Sequence, residues 1–195
     1  MGNDENNLYR IVSHETRGLT KITSAEPLKK SGSFVTSAFG DNNTFSSSNT
    51  IGTFLNGEYL TNYVDSSYSN MIESNTTWYL GHVSENTSYK LAKYADTNMS
   101  SLTLNTTDAK IGLLRFGELM AGQFDVTNNN SSFCTLTPFS STTLRCINYS
   151  NGAPDGGNNP SELMGIKPAL NLKQNIIITS GDGTLQNPFE IELAS

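Results

Sequence analysis

The chain is short of charge. Only 15% of its 195 residues are Asp, Glu, Lys or Arg, and its 12 basic residues are scattered apart from Lys29-Lys30. No basic stripe is there to neutralise a phosphate backbone, and the net charge of −6 repels one, so nucleic acid is not an expected partner. Long hydrophobic runs are missing as well: nothing approaches the roughly 18–20 apolar residues of a membrane-spanning helix. Histidine is limited to His14 and His82, and neither stands in an HExxH or comparable metal-ligand spacing. Cysteine is limited to Cys134 and Cys146, with no CxxC, which leaves no zinc or thioredoxin-like motif. A GxSxG nucleophile elbow is also absent, and serine is too abundant for a chance Ser/His pairing to mean anything.

Uncharged polar residues fill the deficit. The chain holds 23 Asn, 24 Ser and 22 Thr, about a third of its length. These side chains bond readily to nearby backbone and favour turns, strand edges and caps over helix interiors, so the composition predicts an α+β fold: one β-rich domain with short helices and long loops. Eight Tyr, nine Phe and one Trp are more aromatics than a disordered chain carries. The opening Met1-Gly2-Asn3-Asp4-Glu5 has neither a basic nor an apolar leader region. Residues 1–6 are therefore expected to be a flexible or artificial tail, with membrane attachment only through an N-terminal anchor cut away before it. Residues 7–195 are expected to be a single extracellular globular domain.

Period-two alternation in Leu8-Tyr9-Arg10-Ile11-Val12-Ser13 and Leu19-Thr20-Lys21-Ile22-Thr23, around a Gly-containing loop, predicts a β-hairpin. Ser31 to Asn49 reads as a polar surface loop. Ile51, Phe54, Leu55 and Tyr59 then recur at helical spacing, with Ser48 or Asn49 as N-cap. The segment around Trp78 reads as a strand. Lys110 to Gly122 reads as a strand followed by a short helix with Phe116, Leu119 and Met120 inward. Asn148 to Ser161, with its Asn-Gly, Pro-Asp-Gly-Gly and Asn-Asn-Pro sequences, is the strongest loop signal. At the end, Gly165 to Leu172, Asn175 to Thr179 and Asn187 to Ile191 read as short strands around a tight turn.

Phe133-Cys134-Thr135-Leu136 and Thr142 to Ile147 flank a Pro-containing turn, so they predict a hairpin with both thiols near its open end. That geometry favours a Cys134–Cys146 disulfide over two separately buried thiols and fits an exported domain.

Candidate binding residues are the aromatics near amide-rich segments: Trp78, Tyr79 and Tyr149, with Tyr89 and Tyr94 beside them. Rings stack on sugar faces while Asn, Ser and Thr bond hydroxyls. For Trp78 a core position outweighs binding, because a single large aromatic commonly anchors a domain of this size. Gly181-Asp182-Gly183-Thr184 invites a metal reading through Asp182, but too few oxygens follow for a calcium loop, and a tight turn capped by Asp182 explains the motif better. Glu58, Glu73, Glu85, Glu118 and Asp125 could include a hydrolytic pair, yet solvated charge is the better account. No cofactor and no catalytic residue is expected.

The motifs Leu8-Tyr9-Arg10-Ile11-Val12, Phe54 to Tyr59, Thr77-Trp78-Tyr79, Ile111-Gly112-Leu113-Leu114 with Glu118, Leu136-Thr137-Pro138 and Gly165 to Leu172 together carry a resemblance. In this order they resemble a poorly characterised domain of Gram-positive bacterial surface proteins, often found behind a prepilin-like N-terminus. Such domains are distantly similar to the C-type-lectin-like fold of sulfatase-modifying factors. The resemblance implies a scaffold with variable loops. The copper-oxidase chemistry of that superfamily is not implied, because Cys134 and Cys146 lie too far apart and on a hairpin. The expected function is a non-enzymatic surface domain, a pilin-like head or adhesion module, with other copies in a filament, a host protein or a glycan as partners. The alternative is a carbohydrate-binding lectin or a small extracellular enzyme.

Overall fold

The computed structural model describes residues 5–15, 18–74, 76–80, 106–122 and 131–194. The first hairpin forms as its alternation predicts: β1 (Tyr9–His14) pairs antiparallel with β2 (Thr20–Ser24), with a bulge between Ile11 and Ser13. Short strands β3 (Lys29–Lys30), β4 (Ser33–Phe34) and β5 (Thr36–Ser37) follow. The expected polar surface loop over Ser31 to Asn49 is therefore corrected. Phe39 and Phe45 turn inward, 4% and 1% exposed, and pack edge to face with centroids 6.4 Å apart. Two large rings outweigh the polar residues between them.

Helix α1 (Thr50–Phe54) begins at Asn49, whose side-chain oxygen accepts the Gly52 N–H at 2.9 Å. It runs on through a π-helical turn (Leu55–Tyr59) into α2 (Leu60–Asn62). Ile51, Leu55, Tyr59 and Tyr63 are all buried, and they are spaced four apart throughout. On a regular α-helix that spacing drifts by about 40° per step. The wider π turn absorbs the drift and keeps all four on one face.

Further strands are β6 (Thr76–Tyr79), β7 (Thr106–Ala109) and β8 (Ile111–Leu113), and α3 spans Phe116–Ala121. Phe116 and Leu119 are buried, but Met120 is 44% exposed, which corrects its expected inward placement. In a helix of six residues one stripe faces the core, and Met120 lies one step past it.

Two sheets make the scaffold. The first has the order β1-β2-β13-β8, with β13 (Pro168–Leu172) buried along its whole length. The second has the order β11-β10-β9-β12-β5, from β9 (Phe133–Pro138), β10 (Leu144–Ile147), β11 (Pro154–Asn158) and β12 (Met164–Gly165). All pairings are antiparallel except β12 with β9. The Asn148 to Ser161 segment is thus a hairpin and not an open loop: β11 pairs with β10 around a turn in which Gly152 adopts φ +65°. Pro and Gly mask this strand in the sequence, and both are tolerated because β11 is an edge. Leu28, Leu55, Tyr59, Ile111 and Leu170 are fully enclosed at the centre of the core. The last two strands, β14 (Ile176–Ser180) and β15 (Glu190–Leu193), form a ribbon that among the described residues pairs only with itself. The architecture is β-rich α+β.

Candidate functional site

The predicted disulfide is present. Cys134 and Cys146 face each other across β9 and β10 and are joined near the open end of their hairpin.

The candidate binding aromatics separate. Trp78 and Tyr79 are neighbours on β6 and so point to opposite sides of the ribbon. Trp78 is 1% exposed and its Nε1–H donates to the Ala109 carbonyl at 2.9 Å, so its indole is a core side chain that offers no face to a surface ligand. Tyr79 is half-buried, and Tyr149 is 49% exposed in the turn after β10. Tyr89, Tyr94, His82, Glu85 and Asp125 lie outside the described residues. Asp182 is an exposed turn residue whose Oδ1 accepts from the backbone N–H and hydroxyl of Thr184 at 3.0 and 2.7 Å, and Gly181 and Gly183 supply the positive φ that turn needs. Among the described residues no group of three or more His, Cys, Asp or Glu side chains could hold a metal ion.

A different site emerges under Trp78. In the first sheet Lys21 on β2 stands directly opposite Asn171 on β13, and Thr23 opposite Ala169. Opposite residues share a face, so Lys21 and Asn171 emerge side by side. Both are buried, at 6% and 3% exposure. Trp78 and Thr76, two apart on β6, cover them. The Lys21 ammonium lies 5.3 Å from the centre of a Trp78 ring, within cation–π range. Asn171 Nδ2 donates to Thr76 Oγ1 at 3.0 Å, while Asn171 Oδ1 is enclosed with no hydrogen-bond partner among the described residues.

Glu118 closes the site from α3. Its Oε1 accepts from Lys21 Nζ at 2.7 Å and lies 3.5 Å from Arg115 Nη2, and its Oε2 accepts the Arg115 backbone N–H at 2.9 Å. The last contact is half of a capping box, so the helix start itself fixes the carboxylate. The side chain is only 10% exposed, which corrects the expectation that Glu118 is solvated charge. Glu15 adds a second carboxylate 3.2 Å from Lys21 Nζ, at the more open edge. Burial pushes the Glu15 carboxyl up, but the Ser13 hydroxyl and the Lys21 charge outweigh it and hold it below the usual range.

Lys21 and Asn171 are missed by sequence reasoning that treats each strand alone. A signal exists: Pro168-Ala169-Leu170-Asn171-Leu172 is an apolar run with one amide in it, and a polar residue inside a strand buried on both faces needs a reason. Chemically the site holds an amine, an amide carbon and a carboxylate in a water-poor enclosure.

No family model matches the chain, and neither a curated protein nor a solved structure shows a significant likeness to it. The disulfide is compatible with an extracellular location, and no helix among the described residues is long and apolar enough to cross a membrane.

Proposed function

We propose that the chain is a non-enzymatic extracellular surface domain, a pilin-like head or adhesion module of the Gram-positive type that its motifs resemble, acting by contact with other protein surfaces. The C-terminal ribbon carries this reading. In a polar chain it holds Ile178 58% and Ile177 43% exposed on β14, with Leu185 68% and Phe189 40% exposed in the connection to β15, and among the described residues the two strands pair only with one another. Unpaired strand edges and exposed apolar side chains are what protein partners cover. The favoured partner is another copy of the chain, because β14 reads Ile-Ile-Ile-Thr-Ser and can lie beside its own copy without opposing like charges, whereas β15 carries Glu190 and Glu192.

The test is assembly of the full-length gene product, followed by light scattering and electron microscopy. Oligomers or filaments that weaken in an Ile178→Ser, Leu185→Ser double variant support the reading, and a strictly monomeric full-length protein overturns it. Tyr149, exposed beside the hydrogen-bonded Asn148-Tyr149-Ser150 turn, favours a second reading as a lectin. A glycan array with a Tyr149→Ala control tests that directly.

A further inference from the structure

We propose that Lys21 and Asn171 join covalently, Nζ to Cγ, in an amide cross-link between β2 and β13 that Glu118 promotes. The register supplies the reach. Cβ atoms of directly opposite residues lie about 4.5–5.5 Å apart, and the four-carbon lysine stem spans that gap to the asparagine amide carbon. Both side chains are held beneath one strand, Lys21 under the Trp78 ring and Asn171 by Thr76. Fixing an amine beside an amide in this way removes most of the entropic barrier to a reaction that is very slow in water.

Glu118 is the proton shuttle. Its Oε1, 2.7 Å from Lys21 Nζ, takes a proton from the ammonium and frees the lone pair. Nζ attacks Cγ of Asn171, and the N–C bond forms as the carbonyl π electrons move to Oδ1. A second Nζ proton passes through Glu118 to the departing nitrogen, the Cγ–Nδ2 bond breaks with its electron pair on nitrogen, and ammonia leaves. No oxidant, reductant or other reactant is consumed.

Two further observations favour the linked state. Asn171 Oδ1 is a buried acceptor without a donor among the described residues, and a protonated Glu118 alongside the new amide supplies one. Lys21 is a buried charge, and the amide replaces it with a neutral group.

Intact-mass spectrometry of the purified, reduced and alkylated chain tests the proposal. The expected mass is lower than that of the sequence by one ammonia, and tryptic digestion gives a branched peptide joining Lys21 to Asn171, with no cleavage after Lys21. Glu118→Gln should return the full mass; a variant that still forms the link would remove Glu118 from the mechanism. A wild-type chain of full mass, with Lys21 and Asn171 in separate linear peptides, overturns the proposal and leaves a structural ion pair. So does a lost ammonia that maps to a succinimide at Asn56-Gly57 or Asn151-Gly152. The wild-type reading stands even where the variant fails to fold.

Discussion

Trp78 rests on Gly112. A methyl group at position 112 would stand 2.7–2.9 Å from three carbons of the indole, closer than carbon atoms approach without displacement. Gly112 is opposite Ala169 in the sheet, so two small residues form the floor on which the ring sits and on which β6 crosses β8 and β13. The glycine is required for space, since its φ is not in the left-handed region.

Gly112→Ala is therefore expected to destabilise the fold by about 1–3 kcal/mol, the usual cost of overpacking a filled core. Chemical denaturation followed by Trp fluorescence measures it. An unchanged midpoint would mean that the ribbon carrying Trp78 shifts freely over the sheet.

The hairpins were legible in the sequence where apolar and polar residues alternate, as in β1–β2, even though β2 proves buried on both faces, or where a clear turn bounds the strands, as in β9–β10. The site under Trp78 was not. Its parts come from positions 21, 118 and 171, and nothing local links them; only the antiparallel register of β2 with β13 and the landing of α3 bring them together. Trp78 was legible as a core residue because it alternates with exposed Thr77. Met120 was misplaced because a six-residue helix is too short for its periodicity to choose between adjacent stripes. The resemblance to lectin-like surface domains rests on short motifs, and these fix strands more firmly than they fix how strands join.

Asn56 ties the helical segment to the sheet. Its Nδ2 donates to the Gly52 and Ile111 carbonyls at 2.9 and 3.0 Å, and its Oδ1 accepts the Lys110 and Ile111 N–H groups at 3.0 and 2.9 Å. All four hydrogen-bonding positions of the amide are used. Asn56→Ala leaves backbone groups at the β7–β8 corner unpaired and should cost about 2–4 kcal/mol. Asn56→Asp keeps both acceptor bonds and loses both donor bonds, so thermal unfolding of the pair separates the two contributions. Equal stability of wild type and both variants would show that water replaces the amide at that corner.

The Cys134–Cys146 bond closes a short loop with a separation of 12 in sequence. A loop of that size restricts the unfolded chain by roughly 2–3 kcal/mol. The Cys134→Ser, Cys146→Ser double variant should lose more than that, and reducing agent should lower the melting temperature of the wild type but not of the variant. Because both cysteines are buried against the core, part of the loss is packing, which the reduced wild type retains. Reduced wild type should therefore lie between the two.

Lys167 introduces a pH dependence of its own. It sits between the two sheets, 3% exposed, with Nζ donating to the Ala25 carbonyl at 2.5 Å and 5.6 Å from the centre of the Phe133 ring. Burial, with the Arg10 charge adding to it and Glu26 opposing, lowers its pKa to about 7. In the unfolded chain lysine keeps its ordinary value of about 10.4, so between those limits the unfolded state binds more protons and stability rises with pH. The penalty of burying the ammonium is full below pH 7, shrinks through the window and is gone once unfolded lysine is neutral too. Lys167→Met should therefore gain most over wild type below pH 7, and its advantage should fall by several kcal/mol on the way to pH 10, since each pKa unit is worth about 1.4 kcal/mol. Urea denaturation of both proteins across that range checks the sign. A difference that stays flat with pH would mean that Lys167 remains charged in the fold, held by the Ala25 carbonyl and the Phe133 ring.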